Sequence, residues 1–145
     1  MAATPDQVRA VIGKYVEAWT NKDRALLLSI FAEDAVWMDP VGTPAFTGRD
    51  GVARFWDFAQ SGPKRSLTPK VEEIRACGNE GIMRFTMQVR IPEANQGLDL
   101  SVIDYFLIND QGLIQVAKAF WDESSVSCPA GMTLFAPNVS EAHQS

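Results

Sequence analysis

Between Met83 and Ile91 the chain alternates without a break: Met83, Phe85, Met87, Val89 and Ile91 are apolar, while Arg84, Thr86, Gln88 and Arg90 between them are polar. Successive strand side chains point to opposite faces, so this period of two describes a strand with one face on a core and the other toward water. A helix of the same residues would scatter both kinds around its axis. The segment is also flanked by others of its kind. Leu67 to Cys77 reads as a strand interrupted by Pro69, and the turn residues from Pro92 to Gly97 lead into Leu98 to Asn109. Asp110-Gln-Gly112 then precedes a last strand from Leu113 to Trp121. Short turns between strands of this length predict an antiparallel meander, whose apolar face must be covered.

The cover is predicted at the N-terminal end. Thr4 is placed to cap a helix with Pro5 at its first position and Gln7 where a capping box needs it. Val8, Val11, Ile12, Tyr15, Val16 and Trp19 follow at helical spacing. Asn21-Lys-Asp breaks that helix, and Asp23 starts a second, with Leu26, Leu27, Ile30 and Phe31 as its apolar stripe before Ala32-Glu-Asp34 ends it. Ala35 to Asp39 reads as a short strand stopped by Pro40-Val-Gly-Thr-Pro44. A third helix is expected from about Asp50, carrying Val52, Phe55, Trp56 and Ala59 and stopping near Ser61-Gly-Pro63. Helices first and strands afterwards make an α+β domain. The 145 residues suit a single domain over 1–145, with a loosely held tail after about residue 123, where Ser, Pro, Gly and Asn accumulate.

Several function classes drop out on charge and composition. A net charge of -5 offers nothing to a phosphate backbone, so no nucleic-acid partner is expected. No run approaches the ~18 apolar residues of a membrane span, and the first residues lack a cationic stretch followed by an apolar one, which reads as a cytoplasmic protein with no membrane partner. Cys77 and Cys128 have no CxxC spacing, and the single histidine, His143, stands in the polar tail, so neither a metal site nor a histidine base is expected.

What remains for chemistry is acidic and phenolic. Period two puts Leu98, Leu100, Val102, Asp104, Phe106 and Ile108 on one face of their strand, and an ionised carboxylate in such a row costs several kcal/mol unless paired. Asp104 therefore either takes up a proton and becomes a hydrogen-bond donor, or pairs with Arg84 or Arg90, or is turned outward by a bulge. Asp39 precedes a proline at a strand end, where it serves either as an Asx turn or as a carboxylate at the mouth of a cavity. Tyr15 falls inside the apolar stripe of the first helix, as a core tyrosine or as a phenol donor in a greasy pocket. Trp37, Phe55, Trp56, Phe85, Met87, Phe106 and Trp121 are the aromatic and thioether side chains expected to line that pocket. Acids and a phenol, without histidine, thiol nucleophile or cationic clamp, suit an apolar neutral ligand.

Three segments together resemble the Δ5-3-ketosteroid isomerases of the nuclear transport factor 2-like superfamily: Lys14-Tyr-Val-Glu-Ala18, Phe31-Ala-Glu-Asp-Ala-Val-Trp-Met-Asp-Pro-Val-Gly42 and Ser101-Val-Ile-Asp-Tyr-Phe106. The likeness runs from about Thr4 to about Ser127. It implies a cone-shaped, curved antiparallel (mixed) sheet packed against three N-terminal helices. It further implies a cofactor-free isomerase of lipid metabolism that conjugates a 3-oxo-Δ5-steroid. Asp39 would carry the proton from carbon 4 to carbon 6, while Tyr15 and protonated Asp104 hold the carbon-3 oxygen. Phe31 and Trp56 stand where some members have tyrosines, and Ala117 where a methionine near the donors is expected. The resemblance also implies a homodimer, which fits the apolar Ile103, Tyr105 and Leu107 on the far face of the Asp104 strand. A SnoaL-like polyketide cyclase and a non-catalytic binding module of the same fold are the alternative readings.

Overall fold

The computed structural model describes residues 1–137. Helix α1 spans Pro5–Thr20 and begins in the expected capping box: Thr4 Oγ1 accepts from the Gln7 backbone N–H at 3.2 Å, and Gln7 Oε1 accepts from that of Thr4 at 2.8 Å. Its inner face buries Val8, Val11, Ile12, Tyr15, Ala18 and Trp19. Asp23 caps α2 through the Leu26 N–H, but α2 covers only Arg24–Ser29. Ile30 and Phe31 are not its last turn, because Phe31 opens strand β1, Phe31–Met38. Tertiary pairing overrides the helical stripe there: the Ile114 N–H donates to the Ile30 carbonyl at 2.8 Å, and Phe31 lies opposite Ile114. The polar Ala32-Glu-Asp34 triplet is not a helix stop but the irregularity within β1, where the register shifts before resuming at Val36. A turn with a cis Asp39–Pro40 peptide follows, then β2, Phe46–Thr47, and α3, Gly48–Gln60.

The meander is β3, Ser66–Cys77, β4, Glu80–Ile91, β5, Gln96–Ile108, and β6, Ile114–Phe120. Two short strands, β7, Val126–Ser127, and β8, Thr133–Leu134, complete a curved, unclosed mixed sheet in the order β2-β1-β6-β5-β4-β3, with β7 and β8 both pairing with β5. The pairing is antiparallel except for β1 with β6 and β5 with β8. The predicted alternation holds in the register. Met83 lies opposite Asp104, Phe85 opposite Val102, Met87 opposite Leu100 and Val89 opposite Leu98, and the buried face of this set meets the helices. Gly81 allows α1 to come down on β4, since a Cβ there would stand 2.7 Å from Val8 Cγ1 and 2.9 Å from Ile12 Cδ1.

The segment after 123 departs from expectation. Asp122 caps a 3-10 turn at Glu123–Ser125, β7 pairs with Asp99 and Leu100, and β8 pairs with Gln96 and Gly97. The reason lies in β5, which β6 covers only from Ile103 to Ile108. The other half would be an open edge of unpaired amides, and the tail satisfies it. The remainder of the tail, with His143, lies outside the described residues. No helix among the described residues is long and apolar enough to cross a membrane.

Candidate active site

A cavity of about 610 Å³ opens between the helices and the inner face of the sheet, within the size range of small-molecule sites. Tyr15, Asp39 and Asp104 all border it.

Tyr15 reaches the cavity from the buried face of α1 with 3% of its surface exposed, held edge-on against Phe106 at 5.1 Å and Trp37 at 6.3 Å between ring centres. Asp104 is 4% exposed. The arginines that might have answered its charge are engaged elsewhere: Arg84 pairs with Glu72, and Arg90 Nη1 pairs with Asp99 at 2.7 Å. No bulge turns Asp104 outward, because its register between Met83 and Ala119 is regular. Asp39 follows directly on β1. Met38 pairs with Lys118 in parallel register, so the next step along both strands sets Asp39 level with Ala119, which is itself opposite Asp104 on β5. The two aspartates are thus separated by two strand spacings, about 10 Å between backbones. The same register brings Trp121, just past β6, beside Asp39: its Nε1 donates to Asp39 Oδ1 at 2.8 Å.

Electrostatics separates the three groups. Burial pushes the Asp104 carboxyl well above the usual carboxylate range, and the nearby charge of Asp39 adds to this, while the neighbouring Tyr15 phenol works the other way. Tyr15 is likewise held well above its ordinary value, by burial first and then by the charges of Asp104 and Asp39. The adjacent Trp19 indole N–H favours the phenolate, although its geometry falls short of a full hydrogen bond. Asp39 is raised to about 6 by burial, against the pull of the Trp121 N–H. The arrangement therefore has one carboxyl, Asp39, raised only to about 6 and so mostly charged at neutral pH, facing two groups whose burial favours the protonated form. It can accept a proton at one point of a ligand and stabilise negative charge at another.

Of the expected pocket side chains, Phe55, Phe85, Met87 and Trp121 border the cavity. Trp37, Trp56 and Phe106 do not. Trp37 stacks on Phe31 at 5.4 Å, Trp56 packs on Trp19 at 4.6 Å, and Phe106 is covered by the Tyr15 ring. Periodicity gives the face of a strand but not which residues a helix then covers. Ala117 is also in the core, opposite Phe106 on β5 and Trp37 on β1, and does not widen the cavity. With Phe31 and Trp56 lacking hydroxyls, the polar neighbours of the Tyr15 phenol are Asp104 and Trp19. Sequence reasoning missed Leu98, Leu100 and Val102 as the cavity wall, although they share the face of Asp104. It also missed Arg65 and Phe135, for which the only signal was an aromatic residue inside a polar tail.

Residues 12–117 match the SnoaL-like domain family. The chain belongs to that family. Among curated relatives, this SnoaL-like protein is 27% identical over 115 residues to the steroid Delta-isomerase of Nocardioides simplex, covering 79% of this chain and 89% of the relative. Among solved structures, it superposes with a TM-score of 0.71 on an LEH-like epoxide hydrolase of M. tuberculosis, at 18% identity over 83% of this chain and 86% of the other. The second likeness speaks for the nuclear transport factor 2-like fold and not for a reaction.

Proposed function

We propose that the protein is a steroid Δ-isomerase that converts a 3-oxo-Δ5-steroid to the conjugated 3-oxo-Δ4 isomer. The observation that carries this is the placement of Tyr15, Asp39 and Asp104 around one apolar cavity, with Tyr15 and Asp104 so buried that the protonated form of each is favoured while Asp39 is raised only to about 6. The Asp39 carboxylate takes a proton from carbon 4. The electron pair left behind spreads through the ketone as a dienolate, whose oxygen accepts hydrogen bonds from Tyr15 and Asp104. Asp39, now protonated, returns the proton to carbon 6, and the double bond comes to rest in conjugation. No atom is gained or lost. The name of the relative from Nocardioides simplex supports the same reading. A SnoaL-like cyclase would use an acid in this fold but gives no reason for two buried protonated donors.

The working form in this reading is a cytoplasmic homodimer. Ile82, Ile103 and Phe120 are exposed on the outer face of neighbouring strands, a surface suited to a second subunit. The exposed thiols Cys77 and Cys128 suit a reducing compartment.

Mixing the protein with 5-androstene-3,17-dione and following the ultraviolet band of the conjugated enone tests the reaction. A rapid rise, lost in Asp39→Asn and reduced about 10²–10³-fold in Tyr15→Phe, is the expected result. Steroid binding with no rise above the buffer rate would remove the isomerase reading.

A further inference from the structure

The cavity wall contains a cation that the reaction above does not use. Arg65 is 6% exposed and borders the cavity. Its Nε donates to the Pro63 carbonyl at 3.1 Å and its Nη2 to the Ser61 carbonyl, and its guanidinium lies over the Phe135 ring at 4.7 Å. Those two bonds tie down the loop after α3 but occupy only part of a five-donor fork. Nη1 has no hydrogen-bond partner among the described residues, and no carboxylate among them forms an ion pair with Arg65. Burial lowers its pKa somewhat, yet a guanidinium stays charged. A loop clasp alone needs no charge, and a buried charge without a counter-ion is costly.

Its position along the cavity is equally informative. The Phe135 N–H donates to the Gly97 carbonyl at 2.9 Å, so the Arg65–Phe135 pair sits beside the Gly97 end of β5. Asp104 is seven residues along the same strand, a separation of about 20 Å at the rise of an extended chain. Phe85, Met87, Val89, Leu98, Leu100 and Val102 make the stretch between them apolar. A four-ring skeleton built from bonds of ~1.5 Å spans roughly 10 Å, about half of this length. Apart from the Asp39 and Asp104 carboxyls at the opposite end, the other ionisable side chain on the wall besides the Tyr15 phenol is Glu123, which is exposed and follows two residues after Trp121, toward the Asp39 end.

We propose that Arg65 anchors a carboxylate at the far end of the ligand, and that the substrate is a steroid acid whose side chain of several carbons carries that carboxylate away from the reacting ketone. The anchor is a specificity determinant, and the word steroid rests on the isomerase reading. A charge-assisted pair in this setting favours the acid over its neutral ester by about tenfold or more.

The test compares 3-oxochol-4-en-24-oic acid with its methyl ester as ligands of the full chain, read by the fluorescence of Trp19 and Trp121 on the cavity wall, alongside turnover of the corresponding Δ5 compounds. The acid is expected to bind at least about tenfold tighter, with the advantage falling below about twofold in Arg65→Gln. Equal affinities in the unaltered protein, or an advantage that survives Arg65→Gln, would overturn the proposal. Should that variant not fold, the Arg65 Nε–H resonance of the unaltered protein decides: a shift with the acid and not the ester supports the anchor, and no shift overturns it. Preference for the acid without turnover of any Δ5 steroid leaves the anchor standing and removes the isomerase reading. Turnover without preference does the reverse.

Discussion

Replacing Asp39 by Asn is expected to stabilise the protein while abolishing its chemistry. The folded protein holds this carboxyl at about 6 against an ordinary 3.8, so between those values the folded state binds the proton that the unfolded chain has released. Stability from this group is therefore present below pH 3.8, is lost as pH rises toward 6, and above that is replaced by a constant cost of keeping the charge in the cavity. At 1.36 kcal/mol per pH unit the cost is about 3 kcal/mol, and residual solvent contact through the cavity reduces it to about 2. Asn has nearly the same shape and its side-chain oxygen still accepts from Trp121 Nε1, so the neutral amide escapes the cost without opening a hole. Urea denaturation at one fixed protein concentration, at pH 7.5 and at pH 4, measures this directly. The variant should gain about 2 kcal/mol at pH 7.5, or roughly 4–8 °C in melting temperature for a chain of this size, and almost nothing at pH 4. A variant no more stable than the parent at pH 7.5, or one whose gain is the same at both pH values, would refute the assignment of Asp39 as a carboxylate held under strain of burial.

The same carboxyl sets the expected pH profile: kcat/KM should rise through about pH 6 as Asp39 ionises, and Trp121→Phe, which removes the donor favouring the anion, should move that limb up by about one pH unit. Asp104→Asn retains a hydrogen-bond donor and should keep far more activity than Asp104→Ala, which is expected to lose about 10²–10³-fold in kcat; equal losses in the two would show that donation is not what Asp104 supplies. Gly81→Leu should destabilise the fold by at least about 1–3 kcal/mol, since even its Cβ meets Val8 and Ile12 of α1, and chemical denaturation would show this as a lower midpoint with an unchanged slope.

The strands and the first helix were legible because their signals are local. An uninterrupted period of two from Met83 to Ile91, and a capping box ahead of a helical stripe, each fix an element without reference to the rest of the chain. Asp104 was legible as a buried acid for the same reason, since its face follows from its strand. What local pattern could not supply was the partner of each element. Phe31 looks like the end of a helical stripe until Ile114 is brought beside it, and residues 126–134 look like loose chain until half of β5 is seen to lack a neighbour. The donor to Asp39 was hidden likewise: Trp121 and Asp39 are 82 positions apart and meet only through the parallel register of β1 and β6. Arg65 gave no periodic signal, because its significance lies in having no counter-ion among the described residues.

Ala119 has a consequence that reaches beyond its own small side chain. Because Asp39 follows directly on the Met38–Lys118 pair of β1 and β6, and Ala119 of β6 lies opposite Asp104 on β5, the spacing of the two acids is counted in strand widths and set by the backbone ladder. Loops can lengthen, helices can tilt and the wall can be repainted with other side chains, yet this ruler keeps its marks. A scaffold of this kind can exchange the molecules it accepts far more readily than the spacing at which it holds its two acids.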